Sequence, residues 1–343
     1  MTVLALTTSI AIAAAAAVIC AVLIVALRPL LQRYALARPN VRSSHVTPTP
    51  QGGGVAVIAA TAIGAALTLS VGSTASGTAI LIVLAAAFCL AAVGMVDDLR
   101  PIPVIPRLTL QLVVVVLLFT ALPPELRLFE MIPVAIERAL IVLGMLWFIN
   151  LVNFMDGLDW MTVAEIVPMT VALGAVALMG EAPANTLPIA LALTGALLGF
   201  APFNRPVAKL FLGDVGSLPI GLLTGWCLLE LASSQHVAAA LLLPLYYLSD
   251  ATTTLLWRLV KGERFWDAHR SHFYQRATDN GFTVTEVVTR VFLLNTALAA
   301  LAMATIVAHS RSIDLTMLAL GALAVAAVLF QFSQPRVAQT DQR

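Results

Sequence analysis

The chain has 343 residues, of which 60% are hydrophobic and 11% charged, with a formal net charge of +1 and a mean hydropathy of +0.96. Soluble domains carry about 25% charged residues. A soluble enzyme, a disordered regulator and a nucleic-acid binder with a large basic surface are therefore excluded, and an all-α, polytopic integral membrane protein remains.

Apolar runs at 3–27, 53–70, 78–96, 108–122, 134–152, 162–180, 187–203, 217–232, 238–257, 286–308 and 315–332 predict about 10–11 transmembrane helices. The first run lacks a basic leader, so it reads as a span and not as a cleaved signal peptide. One transmembrane domain is expected over 1–332, with a short tail over 333–343. Cys20, Cys89 and Cys227 each lie in an apolar run and read as small packing residues. They do not suggest a disulfide framework or a Cys-rich metal site.

Alternation places the loops 28–52, 97–107, 153–161, 204–216 and 258–285, and the tail, on one side. They hold every basic residue, Arg38, Arg42 and Arg343 among them, except Arg127, Arg138, Arg290 and Arg311. The positive-inside rule puts this side in the cytoplasm and the N-terminus in the periplasm. The opposite loops, such as 71–77 and 233–236, are short and chemically plain, and His236 and His309 near them look incidental.

Five polar groups stand out in chain order, on the predicted cytoplasmic side. Thr47-Pro48-Thr49-Pro50-Gln51-Gly52-Gly53-Gly54 fits either a backbone nest for phosphate or a plain loop-to-span junction. Asp97-Asp98 closes an apolar run, and adjacent helical side chains point in different directions, so one can approach a metal and the other a substrate phosphate. In Asn150-x-x-Asn153-x-x-Asp156-Gly157-x-Asp159 polar residues recur every third position, lining one wall with the donors and acceptors that suit a nucleotide or sugar. Asn204 and Phe211-Leu212-Gly213-Asp214-Val215-Gly216-Ser217 combine close backbone approach, a flat ring for a base and a carboxylate for a hard cation such as Mg2+. His269-Arg270-x-His272-x-x-x-Arg276, if helical, puts two imidazoles and a guanidinium on one face as a phosphate clamp. Zinc is the competing reading, but with only Asp267 close by the ligand set is poor. Asp250, inside an apolar run, is either a functional group or a helix–helix polar contact.

Together these segments, over roughly residues 40–285, resemble the polyprenyl-phosphate N-acetylhexosamine-1-phosphate transferases, glycosyltransferase family 4. The histidine segment is similar to the O-antigen and lipopolysaccharide-initiating branch. The resemblance implies transfer of a sugar-1-phosphate from a UDP-sugar to undecaprenyl phosphate with release of UMP. It also implies Mg2+, with Mn2+ as a substitute. The implied roles are metal binding for Asp214 and Asp98, and catalysis for Asp97, Asp98, His269, Arg270 and His272. Substrate binding is implied for Asn150, Asn153, Asp156, Asp159, Asn204, Phe211, Gly213 and Arg107. Trp160 stands where the family commonly has a small glycine.

The implied setting is a bacterial inner membrane, with the site on its cytoplasmic face, the lipid bilayer and both substrates as partners, and no nucleic acid. A homodimer is compatible with these features. The rival function is a transporter or flippase of lipid-linked sugars, which predicts polar groups at mid-membrane in paired halves.

Overall fold

The structure, a computed structural model, describes residues 3–37, 48–70, 77–120, 127–128, 131–264 and 269–336. Arg38, Arg42, His45, Thr47, most of the 71–77 loop, Asp267 and Arg343 lie outside the described residues, as does the tail beyond 336. Among the described residues there are thirteen helices: α1 Val3–Tyr34, α2 Gly54–Ser70, α3 Gly77–Leu99, α4 Val104–Thr120, α5 Val134–Met155, α6 Met161–Met179 and α7 Thr186–Phe200. The rest are α8 Asp214–Ser233, α9 Val237–Leu242, α10 Leu245–Val260, α11 Phe273–Asp279, α12 Val284–Ala308 and α13 Arg311–Ser333.

Every apolar run of the sequence falls on helix, and the helices differ in length. Seven helices, namely α1, α3, α5, α6, α8, α12 and α13, are long and apolar enough to cross a membrane. Helices α2, α4 and α7 are shorter and equally apolar; at 1.5 Å per residue they rise about 22–26 Å. The run at 238–257 is not one span. It breaks at Leu243-Pro244 into α9 and α10, because Pro244 has no N–H for a continuing helix. The all-α expectation also needs one amendment: β1 (Leu36–Ala37) pairs antiparallel with β2 (Thr49–Pro50), Leu36 opposite Pro50.

The chain is a polytopic membrane protein built around α8. Every residue of α8 from Val215 to Leu231 is buried, as expected of a helix apolar on all sides. Around it pack α2, α3, α5, α6, α7 and α9. Small residues bring the backbones together. Gly54 of α2 lies against Gly216 of α8, and Gly94 of α3 against the Asp214 backbone, so that a side chain at either glycine has no room. Gly221 lies against the Ile149 backbone, where an added Cβ would stand 2.8 Å from Cα. The periphery carries exposed Leu81, Phe88, Leu117, Leu143, Leu293, Leu323 and Phe330, the apolar surface a bilayer covers. Cys20 and Cys227 are buried as expected, but Cys89 is exposed on this outer surface.

The close contacts fix one end of the bundle. The last turns of α3 and α5 and the first turns of α2, α4, α6, α8 and α11 meet there, joined by loop contacts such as Gly53 N–H to the Phe211 carbonyl at 2.9 Å and Phe211 N–H to the Pro50 carbonyl at 2.8 Å.

Candidate active site

The first acidic pair is divided in its work. Asp98 accepts the backbone N–H groups of Asp214 at 2.9 Å on Oδ1 and of Val215 at 3.1 Å on Oδ2. It thereby satisfies amides that open α8 and sits against the positive end of that helix. Gly213 makes the approach feasible: its φ is +78°, and an added Cβ would stand 2.5 Å from Asp98 Oδ2. Gln51 Nε2 donates to the Asp98 carbonyl at 2.7 Å.

Asp97 faces the other way. Its Oδ1 accepts the Ile102 N–H at 2.5 Å and its Oδ2 accepts Arg107 Nη1 at 2.8 Å. The same guanidinium lies 3.5 Å from Asp214 Oδ2. The carboxyls of Asp97 and Asp214 meet at hydrogen-bonding range. Asn153 Nδ2 donates to Asp214 Oδ1 at 2.8 Å and to Ser217 Oγ at 2.9 Å. Asp97 of α3 and Asp214 of α8 thus share one guanidinium, with Asp98 beside them on the α8 amides, so carboxylates outnumber cations here.

The donor set is oxygen-rich and anionic, with two facing carboxyls that a proton or a cation must bridge. It fits a hard divalent ion that keeps several waters. Among the described residues no group of three His, Cys, Asp or Glu side chains stands in ligand geometry. Each oxygen of Asp97 and of Asp98 already accepts one hydrogen bond, so either side chain would exchange such a bond to ligate an ion.

The second motif continues this wall and then becomes scaffold. Asp156 caps α5, and Thr162 Oγ1 donates to its carboxylate. Burial, with the nearby charges of Asp98 and Asp159, pushes the Asp156 carboxyl up to about 7. Asp159 is buried and accepts the Ala208 N–H at 2.9 Å. Asn204 accepts the Trp160 N–H at 2.8 Å and donates to the Leu210 carbonyl at 3.0 Å. Trp160, in a left-handed conformation at φ 64°, donates its indole N–H to the Ala201 carbonyl at 2.6 Å. These bonds lace the 156–160 turn to the 201–211 loop. Asn150, one turn deeper, is buried and donates to Gln111 Oε1 at 2.6 Å. Phe211 is half-buried beside the acidic centre, its backbone bonded to β2 and Gly53. The Gly53 and Gly54 N–H groups are taken up by the Phe211 and Leu212 carbonyls at 2.9 Å each, which favours the junction reading over a phosphate nest.

The histidine segment differs from the expected helical face. Helix α11 begins only at Phe273, and His272 precedes it as an extended capping residue. His269, His272 and Arg276 therefore do not share a helix face. His269 is half-buried and packs on His272 with ring centres 4.9 Å apart. His272 is buried, with Nδ1 3.4 Å from Asp250 Oδ1. Arg270 reaches along α11 to its last turn, 3.2 Å from Asp279 and 3.1 Å from Thr278 Oγ1. Arg276 lies over the rings of Trp257 and Phe273.

Thr162, which bonds Asp156, carries no pattern of its own in the sequence, and Gln51 stands out there only as part of the 47–54 segment.

Residues 80–232 match the family model for Glycosyl transferase family 4. The segment from α3 through α8, which carries all three acidic motifs, is therefore the part of the chain similar to glycosyl transferase family 4. Among curated proteins, a decaprenyl-phosphate N-acetylglucosaminephosphotransferase of Mycolicibacterium smegmatis is 29% identical over 212 residues, 56% of this chain and 52% of that protein. The protein of the same name from Mycobacterium leprae is 25% identical over 300 residues, 76% and 74% of the two chains. A phospho-N-acetylmuramoyl-pentapeptide-transferase of Wolbachia sp. subsp. Brugia malayi is 42% identical over 76 residues, 22% and 23% of the two. The chain thus spans from about a quarter to three quarters of the length of these relatives.

Proposed function

We propose that this protein transfers an N-acetylhexosamine-1-phosphate from a UDP-sugar to undecaprenyl phosphate, giving undecaprenyl-diphospho-sugar and UMP. The observation that carries this reading is the meeting of Asp97, Asp98, Asn153, Asp214 and Arg107 at one end of the bundle. The relatives matched over the longer stretches are named for N-acetylglucosamine phosphate transfer to a polyprenyl phosphate, which favours that sugar class. Initiation of O-antigen or another envelope polysaccharide is the proposed setting, in a bacterial inner membrane. The acidic centre shares its end of the bundle with Arg100, Arg205, Lys209 and Arg258, which favours the cytoplasmic face.

In the proposed reaction a lipid phosphate oxygen attacks the sugar-bearing β-phosphorus. The bond from that phosphorus to the bridging oxygen breaks, and UMP leaves with the oxygen. Asp214, with Asp98 or the facing Asp97, would hold Mg2+, which would neutralise the diphosphate. Asp98 fixes the start of α8 and with it the position of Asp214. Arg107 supplies a fixed positive charge beside the reacting phosphates. Asp156, ionising near pH 7, accepts the remaining proton of the lipid phosphate where one is present. Asn153 orients Asp214, while Asp159 and Asn204 shape the pocket and Phe211 offers its ring to the base. His269 braces the phosphates from the facing segment, backed by His272.

The test is UMP release from purified protein with Mg2+, undecaprenyl phosphate and a panel of UDP-sugars. UMP release with a UDP-N-acetylhexosamine is expected. Movement of lipid-linked sugar across vesicles without UMP would favour the transporter reading instead.

A further inference from the structure

The mechanism above leaves unused a fully buried carboxylate, Asp250, in the middle of α10. Its oxygens meet donors from two elements. From α11, Oδ1 accepts the Phe273 N–H at 2.9 Å and Oδ2 the Tyr274 N–H at 3.1 Å. From its own helix, the Tyr246 hydroxyl lies at 3.2 Å and Thr254 Oγ1 at 3.3 Å. His272 Nδ1 stands at 3.4 Å. A carboxylate inside an apolar bundle persists only when so satisfied. Here the donors it gathers are those that open the helix following the histidines.

The contacts run onward. Tyr274, whose amide Asp250 holds, donates its hydroxyl to the Phe154 carbonyl at 2.9 Å. Phe154 lies between Asn153, which holds Asp214, and Asp156. Its ring is stacked with His272 at 6.5 Å, and His272 with Tyr274 at 5.8 Å. Gly157 leaves no room for a Cβ beside the Tyr274 hydroxyl, and Gln275 Nε2 would stand 3.3 Å from one. The chain of contact is therefore Asp250 to the start of α11, α11 to the 153–157 turn, and that turn to the acidic centre.

We infer that Asp250 is a positioning residue that clamps the start of α11, and through Tyr274 holds the histidine segment in register with the acidic motif at the end of α5. It touches neither substrate nor metal in this scheme. The kinetic part of the inference rests on the transferase reading; the mechanical part does not.

The test uses full-length protein in nanodiscs, as wild type, Asp250→Asn, Tyr274→Phe and the double variant. Asparagine keeps one carbonyl oxygen and loses the second acceptor and the charge. Misplacement of this order lowers kcat by about tenfold or more, with KM for the UDP-sugar expected within about threefold of wild type. Tyr274→Phe should lower kcat by about threefold, and the double variant should be no worse than Asp250→Asn, because the two lie on one path. Unchanged kcat in Asp250→Asn, or losses that multiply in the double variant, would overturn the inference. The second readout is amide hydrogen exchange, which needs no activity. Asp250→Asn should speed exchange in both 273–279 and 153–159, and Tyr274→Phe in 153–159 alone. If Asp250→Asn does not fold, Tyr274→Phe carries the test, and unchanged exchange at 153–159 in that variant refutes the link. A wild type that releases no UMP counts against the transferase reading, and the exchange result then decides the inference by itself.

Discussion

The two ends of the bundle treat their acids differently. At the end away from the motifs, Glu137, Glu181 and Glu230 each have partners of their own. Glu137 faces Arg127 Nε at 2.5 Å and accepts the Leu128 N–H at 2.6 Å. Glu230 accepts Thr186 Oγ1 at 2.8 Å and Asn185 Nδ2 at 3.2 Å. Glu181 lies 3.2 Å from His236 Nε2 and 3.9 Å from His309 Nε2. At the motif end, Asp97 and Asp214 share Arg107, while Asp98 relies on backbone amides. Like charges gathered around too few cations are unstable alone and become favourable with a bound cation. The first arrangement closes a fold, and the second leaves charge for a ligand to answer.

The largest expected effect tests the shared end. Asp214→Asn keeps the side-chain shape and removes one of the facing charges. UMP release should fall by at least about 100-fold, close to 2.7 kcal/mol in the barrier, with thermal unfolding little changed or raised. Full activity in this variant would remove Asp214 from the proposed metal site. Arg107→Gln comes next, with an expected loss of about tenfold to 100-fold in kcat. It should also weaken retention of the diphosphate, read as a raised KM for the UDP-sugar.

The opposite end should respond in the other currency. Glu230→Leu removes acceptors for Thr186 and Asn185, and leaving buried donors unanswered costs about 1–3 kcal/mol. The midpoint of thermal unfolding should drop by a few degrees while kcat stays within about twofold. A large fall in kcat with an unmoved midpoint would erase the distinction between the ends.

Legibility followed the contrast between polar residue and apolar surroundings. Asp97, Asn153, Asp156 and Asp214 stand out because a carboxylate or amide is rare in such a chain, and the structure brings all four to one end. Their division of labour was hidden, since whether Asp98 or Asp97 caps α8 depends on a helix 116 residues away in sequence. The histidine segment misled because i, i+3 spacing implies a face only when the backbone is helical, and His272 is the cap before the helix. Pro244 was visible, but the apolar run around it is long enough to suggest one span. The opposite end was read as plain because its partners come from separate elements. His236 and His309 acquire meaning only when folding places both beside Glu181.

A pH dependence of stability is also expected from Asp156, which contrasts with the paired acids. Its carboxyl is moved from an ordinary 3.8 up to about 7, chiefly by burial. Below about pH 4 both the folded and unfolded chains carry the proton, and the group is neutral toward folding. Between about pH 4 and 7 the unfolded chain has lost the proton while the folded chain keeps it. The folded state binds more protons there, and stability from this group declines as pH rises, levelling above about 7. A carboxylate held by a dedicated cation gives the opposite slope, because its folded pKa is depressed. Thermal unfolding of wild type and Asp156→Asn in EDTA, compared from pH 4.5 to 8, isolates the term: the wild-type midpoint should fall relative to the variant across that range. Parallel curves would mean that Asp156 is not held against its charge, and would place it with the satisfied acids of the other end.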